Sequence, residues 1–106
     1  MEYRRAVALD PANGKAQYNL AMEYVEQGRC RVARYHFEQA IRFDPHSSYA
    51  HNNLGVTLAS MGELEAAVVH FRRAAALNPA MSTAHVNLQD ALKRLQVSEK
   101  KSASGS

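Results

Sequence analysis

The sequence repeats itself with a period of 34 residues. Three prolines, Pro11, Pro45 and Pro79, stand 34 residues apart, and each follows an Asp or an Asn. Residues 14–47 align with residues 48–81 without a gap. The identical pairs are Ala16/Ala50, Asn19/Asn53, Leu20/Leu54, Gly28/Gly62, Ala33/Ala67, His36/His70, Phe37/Phe71, Ala40/Ala74 and Pro45/Pro79. A fixed period of this length is typical of repeat proteins, in which each unit buries its apolar face only against its neighbours.

Each repeat contains two apolar stripes with helical spacing. Leu54 and Leu58 share one face of the first predicted helix, and Val68 and Phe71 share one face of the second. A glycine between the stripes, Gly62 in this repeat, lets the chain reverse, and a proline after Asp or Asn ends the second helix. The pattern predicts an all-α fold of antiparallel helical hairpins. The predicted helices cover residues 1–10, 14–27, 29–43, 48–61, 63–77 and 82–96.

The residues at equivalent positions resemble the signature of the tetratricopeptide repeat family, in which each repeat is a hairpin of a helix A and a helix B. The early tryptophan of helix A is missing, and Gln17, His51 and His85 stand in its place. The matching residues are the leucines Leu20, Leu54 and Leu88, the small residues Ala21, Gly55, Ala33 and Ala67, the turn glycines Gly28 and Gly62, the aromatics Tyr3, Phe37 and Phe71, and the alanines Ala6, Ala40 and Ala74. The resemblance implies a right-handed α-solenoid with a concave groove lined by the A helices.

The period divides the chain into one repeat domain and a tail. Residues 1–97 form the domain, and residues 98–106 (SEKKSASGS) are predicted to be disordered because they carry no apolar periodicity. Gln89 stands where earlier repeats have Ala21 and Gly55, which favours a polar capping helix. The predicted units are a half repeat over 1–13, full repeats over 14–47 and 48–81, and the capping helix over 82–97. Because both outer units are half repeats, we expect a fragment of a longer scaffold protein.

The charge and hydropathy of the chain disfavour several classes of partner. Its 13 Lys and Arg residues only slightly exceed its 10 Asp and Glu residues, which gives a formal net charge of +3. No continuous basic stripe with interleaved aromatics can be assembled, so we expect no nucleic-acid partner. No apolar run approaches the roughly 20 residues that cross a bilayer, so we expect no membrane partner. Charged residues rather than an apolar segment follow Met1, so no secretory signal is predicted and a cytoplasmic location is expected.

The sequence contains no motif for catalysis, a cofactor or a metal. It lacks the glycine-rich phosphate and dinucleotide loops, the zinc-protease motif and the serine-hydrolase elbow. Cys30 is the only cysteine, which excludes a disulfide within the chain. His36 and His70, like His51 and His85, recur at the repeat period, and equivalent positions of stacked hairpins lie about 10 Å apart, too far for one metal ion. We therefore expect packing roles for the histidines, with no cofactor, no metal and no catalytic residue.

One face of helix A carries an asparagine in every repeat. Asn19, Asn53 and Asn87 each precede a core leucine, and a carboxamide can pair with both the C=O and the N–H of a peptide group. Rungs about 10 Å apart match every third residue of an extended chain, which rises about 3.3 to 3.6 Å per residue. The ladder resembles the peptide groove of the O-linked N-acetylglucosamine transferases. The other predicted groove residues are Lys15, Tyr18, Met22, Tyr49, Asn52, Val56, Thr83, Val86 and Asp90.

We interpret the chain as a non-catalytic module that binds a protein or peptide segment in this groove. The asparagines would fix the backbone of the partner. A carboxylate clamp is disfavoured, because Tyr18 and Val86 occupy positions that are basic in clamps of that kind. The apolar contacts are predicted at Tyr18, Met22, Tyr49 and Val56.

Two alternatives remain open at this point. In the first, the chain is the substrate-presenting segment of a larger enzyme such as a glycosyltransferase. In the second, the open ends of the stack associate, because the first helix carries an apolar stripe that a preceding helix A would cover. Gln89 opposes close stacking at the other end, so the expected self-association is weak and concentration-dependent. The stripe consists of Tyr3, Ala6, Val7 and Leu9.

Overall fold

The computed structural model of this protein describes the backbone of residues 2–104 and the side chains of residues 4–98. Over residues 2–104 it contains six α-helices and no strand, which confirms the all-α fold class. Apart from the end of the last helix, every boundary lies within one residue of its predicted position. The helices are α1 (Glu2–Leu9), α2 (Gly14–Glu26), α3 (Cys30–Phe43), α4 (Ser48–Ser60), α5 (Leu64–Leu77) and α6 (Ser82–Ser104).

The helices stack in chain order as antiparallel hairpins. Helix α2 packs on α3 and α4 packs on α5, so each full repeat closes as one hairpin. Contacts of α1 with α2, of α3 with α4 and of α5 with α6 join the units, and α4 also touches α6. The A helices are therefore α2, α4 and α6, and the B helices are α1, α3 and α5. This arrangement confirms the predicted right-handed α-solenoid.

A glycine with a left-handed backbone ends the A helix of each full repeat. Gly28 has a φ of 74° and Gly62 a φ of 82°, a region that residues with a Cβ rarely adopt. The amide N–H of Gly28 donates to Val25 O, and that of Arg29 donates to Tyr24 O, both over 2.9 Å. This pair of bonds is the Schellman motif, which satisfies the last carbonyls of the helix. The motif turns the chain directly into the following B helix.

The Asp-Pro and Asn-Pro pairs end the B helices as predicted. The Asp44 N–H makes the last helical bond, to Ala40 O, and Asn78 does the same with Ala74 O. Proline then stops the helix because the residue before it is driven out of the helical region. A capping side chain starts the next A helix: the Ser47 hydroxyl accepts from the Ala50 N–H over 3.2 Å.

The core lies between the A and B helices at positions that the repeat fills with small residues. Phe37 is 0% and Phe71 is 2% exposed. A Cβ on Gly55 would lie 2.5 Å from Cε1 of Phe71, closer than atoms of a folded protein approach one another. The position therefore has to stay without a side chain for α4 and α5 to pack at this distance. Ala21, its equivalent in the preceding repeat, is fully buried.

The end of the chain differs from the sequence prediction. Helix α6 continues to Ser104, so the prediction of a disordered segment from Ser98 is wrong for the backbone of Ser98–Ser104. Glu, Lys and Ala are good helix formers, which lets the helix extend without an apolar face. Residues 105 and 106, and the side chain of Tyr3 in the predicted apolar stripe, lie outside the described residues. The division into units at residues 13, 47, 81 and 97 stays a prediction. In the part of the chain that the structure describes, no helix has the length and apolar character needed to span a bilayer.

Candidate peptide groove

The A helices line three adjoining clefts, which together we call the groove. The first cleft, of about 310 Å³, lies between α2 and α4; the central cleft, of about 520 Å³, lies between α4 and α6; the end cleft holds about 270 Å³. Tyr49 belongs to both the first and the central cleft, and Val56 and Asn87 belong to both the central and the end cleft. The three clefts therefore form one continuous surface along the stack.

The residues that line each cleft come mainly from the A helices. The first cleft is lined by Gly14, Lys15, Tyr18, Asn19, Ala40, Asp44, Ser47 and Tyr49. The central cleft is lined by Tyr49, Asn52, Asn53, Val56, Ser82, Thr83, Val86 and Asn87. The end cleft is lined by Val56, Ala59, Ser60, Phe71, Asn87, Asp90, Ala91 and Arg94.

The structure brings nearly all of the predicted site residues into these clefts. Met22 is the exception, since it packs against the buried core cluster that contains Phe37. The predicted residues are exposed at Lys15, Tyr49, Val56 and Asp90, half-buried at Tyr18, Asn19, Met22, Asn53 and Asn87, and buried at Asn52. Their role in binding a ligand stays a prediction.

Part of the first cleft was not predicted from the sequence. Ala40 lies near the end of α3, Asp44 is the C-cap residue directly after α3, and Ser47 lies in the loop that follows. The Asp-Pro pair marks this loop in the sequence, and the loop delivers the chain to the start of α4. A helix B that ends beside the next helix A must contribute to the same wall. The repeat period could therefore have predicted that residues at the end of helix B line the first cleft.

Two of the three groove asparagines join successive A helices by hydrogen bonds. Asn53 Nδ2 donates to the Tyr18 hydroxyl over 2.8 Å, and Asn87 Nδ2 donates to Asn52 Oδ1 over 3.1 Å. Donor and acceptor are 35 residues apart in both cases, so the two bonds are equivalent under the repeat. Among the described residues Asn19 has no earlier A helix to bond. We call these two bonds the cross-helix bonds.

The cross-helix bonds change the chemistry expected of the asparagines. Asn53 and Asn87 are half-buried, and each already uses one N–H within the stack. A carboxamide has two N–H donors and one oxygen acceptor, so each side chain keeps one donor and its oxygen for a ligand. The bond also fixes the orientation of the amide plane before a ligand arrives. Such an amide can still pair with both polar atoms of a peptide group.

Tyr18 has a structural role as well as a place in the groove. Its ring packs edge-on against Phe37, with centroids 5.9 Å apart and an interplanar angle of 62°. Burial raises the pKa of the Tyr18 hydroxyl above its ordinary value, and the hydrogen bond from Asn53 opposes that rise. The hydroxyl therefore stays protonated at neutral pH. Its oxygen accepts from Asn53, and its own proton is available to a ligand acceptor.

A second network takes the place of the missing tryptophan of helix A. Gln17 Nε2 donates to Pro11 O over 2.9 Å, and the Nε2 atoms of His51 and His85 contact the carbonyls of Pro45 and Pro79 in the same way, over 3.1 and 2.9 Å. The side chain at this position thus ties each A helix to the loop before it. The same side chains also reach the B helix of their own repeat. These contacts are Gln17 Oε1 with His36 Nδ1 over 2.7 Å and His51 Nδ1 with His70 Nδ1 over 3.1 Å.

The contact between His51 and His70 was not predicted, because the two residues are 19 apart in the sequence and do not occupy equivalent positions of the repeat. Since His51 Nε2 faces a carbonyl it carries a hydrogen, so neutral His51 accepts at Nδ1 from His70 Nδ1–H. Burial lowers the pKa of both rings; the charge of Arg73 adds to this at His51, and His51 itself adds to it at His70. Among the described residues, no three His, Cys, Asp or Glu side chains cluster closely enough to hold a metal ion.

Comparisons with known proteins agree with this architecture. A crystal structure of MamA superposes with a TM-score of 0.85 at 24% identity, covering 89% of this chain and 55% of that chain. The second TPR domain of human RPAP3, in complex with an HSP70 peptide, gives a TM-score of 0.80 at 29% identity, covering 84% of this chain and 74% of that one. A mutant O-GlcNAc transferase of Thermobaculum terrenum gives 0.79 at 29% identity, covering 85% of this chain and 17% of that one.

The chain thus spans about half the length of the MamA chain and a small part of the transferase. Comparison of the sequence with curated proteins gives no match. The model of the family described as Tetratricopeptide repeat matches residues 18–82, which is more than half of the chain. With the period, the hairpins and the groove already established, this match identifies the chain as a member of the tetratricopeptide repeat family.

Proposed function

We propose that this chain is a non-catalytic module that holds an extended segment of a partner protein in the groove. The observation that carries the proposal is the continuity of the three clefts, which share Tyr49, Val56 and Asn87 along the face of the A helices. A continuous groove longer than one repeat suits an extended chain better than a compact small molecule. The human RPAP3 domain, similar to this chain at 29% identity, is in complex with a peptide.

The proposed groove combines the two kinds of contact that an extended segment needs. Tyr49 is 62% and Val56 is 39% exposed, so both offer apolar surface that a partner side chain can cover. Asn53 and Asn87 offer one N–H and one oxygen each, in orientations fixed by the cross-helix bonds. Main-chain pairing gives affinity and apolar contacts give specificity in binding of this type. Neither contact requires a catalytic group.

A matched pair of tyrosines tests the location of the site. Tyr49 on α4 is 62% exposed inside the groove, and Tyr35 on α3 is 55% exposed outside the residues that line it. A peptide would first be selected on the purified chain from a random peptide display library. We expect Tyr49→Ala to weaken binding of that peptide at least about tenfold, which is 1.4 kcal/mol, and Tyr35→Ala to leave it unchanged. Equal effects of the two substitutions would place the site elsewhere and refute the proposal.

A second candidate function is that of a substrate-presenting segment in a larger enzyme. The observation that favours it is the similarity to the O-GlcNAc transferase, of which this chain covers 17%. In that case the groove would bind the same kind of extended segment, and the chemistry would belong to another domain. Sequencing the gene beyond the two ends of this chain decides between the two candidates. An adjoining catalytic domain supports the second candidate, and its absence refutes it.

A further inference from the structure

The central cleft contains no charged side chain, and we infer that it selects a partner segment without charged residues. The inference rests on the proposed function and adds the chemistry of the bound segment. All residues that line this cleft belong to the described part of the chain, and they are Tyr, Asn, Val, Ser and Thr. A surface made only of these types can satisfy neutral polar groups and cover apolar ones.

Charged groups line the clefts that adjoin this neutral stretch. Lys15 and Asp44 line the first cleft, and Asp90 and Arg94 line the end cleft. A further cleft that adjoins the central one at Val86 is lined by Asp90 and Lys93, so each adjoining cleft carries both a positive and a negative side chain. In the end cleft the two charges are 3.8 Å apart, between Arg94 Nη1 and Asp90 Oδ2. None of these adjoining clefts is therefore lined by charges of a single sign.

Moving a charged side chain from water into the central cleft would cost free energy. The side chain would give up part of its water shell, and no opposite charge in the cleft would compensate for that loss. Neutral polar groups meet no such penalty, because the hydroxyls of Ser82 and Thr83 and the free amide atoms of Asn53 and Asn87 can pair with them. Selection here operates by exclusion of charge as much as by attraction.

The apolar part of the cleft indicates what the neutral segment carries. Val86 is 65%, Tyr49 is 62% and Val56 is 39% exposed. These three side chains form the apolar surface of the cleft, and covering such surface is favourable in proportion to its area. The occupant is thus an extended segment of small polar residues with an apolar side chain seated among Tyr49, Val56 and Val86.

The experiment is a selection from a random nonapeptide display library on the purified chain. Peptides that also bind the Tyr49→Ala variant are discarded, so that only peptides that depend on Tyr49 are retained. We expect the retained peptides to carry Asp, Glu, Lys and Arg at less than about half of their frequency in the input library. Their affinity should change by less than about twofold between roughly 50 and 500 mM salt, because screening acts on charge contacts only. Retention of mainly acidic or basic peptides would overturn the inference while leaving the proposed function intact.

A charge placed in the cleft provides the matched control. Val86 is 65% exposed in the cleft, and Val69 is 63% exposed on α5 outside it. We expect Val86→Lys to enrich acidic peptides at least about twofold in the same selection, and Val69→Lys to have no such effect. An unchanged selection by Val86→Lys would overturn the inference. A concentration-dependent dimer that Val86→Lys dissociates would also overturn it, because a second copy would then occupy the cleft. Failure to retain any peptide that depends on Tyr49 would refute the proposed function itself.

Discussion

Replacing each groove asparagine with alanine isolates the cross-helix bonds from the other effects of the substitution. Asn53 and Asn87 each donate one such bond, whereas Asn19 donates none among the described residues. All three lie inside an A helix, where alanine is the better helix former by up to about 0.7 kcal/mol. That gain is common to the three variants. The difference in stability between Asn19→Ala and either of the others therefore measures the cross-helix bond.

The expected magnitude follows from the groups that lose their partner. Asn53→Ala removes a 2.8 Å bond to the half-buried Tyr18 hydroxyl, and one such bond contributes about 0.5 to 1.5 kcal/mol. Asn87→Ala removes the hydrogen-bond donor to Asn52 Oδ1. Because Asn52 is only 8% exposed, leaving its oxygen unpaired costs about 1 to 3 kcal/mol of stability. A loss of 1 kcal/mol lowers the Tm of a domain of this size by about 4 to 8 °C. We expect the melting order Asn19→Ala above Asn53→Ala above Asn87→Ala.

Thermal unfolding followed by far-UV circular dichroism measures this order. A double-mutant cycle with Tyr18→Phe provides the control, because phenylalanine keeps the ring packing and removes only the hydroxyl. In the Tyr18→Phe background, Asn53→Ala should cost no more than Asn19→Ala does in the parent. Equal melting temperatures for the three alanine variants would refute the role of the cross-helix bonds. A cycle with no coupling between Asn53 and Tyr18 would refute the specific contact.

Three further predictions concern stability and association. Gly55→Ala should cost about 1 to 3 kcal/mol of unfolding free energy in a denaturant titration, because its Cβ would lie 2.5 Å from Phe71; parent-like stability would contradict the packing. The pKa values of His51 and His70 are lowered in the folded chain, so the unfolded chain binds more protons as the pH falls below 6.5. We therefore expect the free energy of unfolding to be highest above pH 6.5 and to decrease as the pH drops through the folded pKa values. His51→Gln should flatten that dependence in melts between about pH 7 and 5, because glutamine makes the equivalent contacts in the preceding repeat; an unchanged slope would contradict this assignment. Leu9, 80% exposed, should support weak self-association in sedimentation, which Leu9→Glu should abolish; a monomer at all concentrations would refute it.

The helices could be predicted closely because each boundary has a local cause. The glycines that end the A helices need a left-handed backbone, and the prolines that end the B helices exclude a helical residue before them. Both signals depend on single residues and recur with the period. The end of α6 has no such signal, since no glycine or proline interrupts Ser98–Ser104. Composition alone predicted disorder there, while helix propensity determined the backbone.

The contacts between repeats could not be predicted to the same degree. The period places Asn53 near the preceding A helix, but the partner Tyr18 depends on how far one helix is shifted along the next. The same register pairs Asn87 with Asn52 rather than with Asn53. The pairing of His51 with His70 likewise requires the rotation of helix A against helix B within one repeat. Sequence periodicity fixes which residues are equivalent, whereas these contacts join residues that are not equivalent.

In the proposed function, Asn53 and Asn87 would serve the stack and the ligand with different atoms of one side chain. One N–H of Asn53 is committed to Tyr18, which leaves its second N–H and its oxygen for a ligand in the central cleft that Asn53 lines. Because the committed bond also sets the plane of the amide, loosening it reduces stability and leaves a less ordered amide to meet the ligand, which raises the entropic cost of binding. Stacking accounts for the asparagines at positions 53 and 87, so the recurrence of asparagine does not by itself demonstrate a ligand contact. In the proposed function, the side chains that differ from repeat to repeat, Tyr49, Val56 and Val86, would distinguish one partner from another.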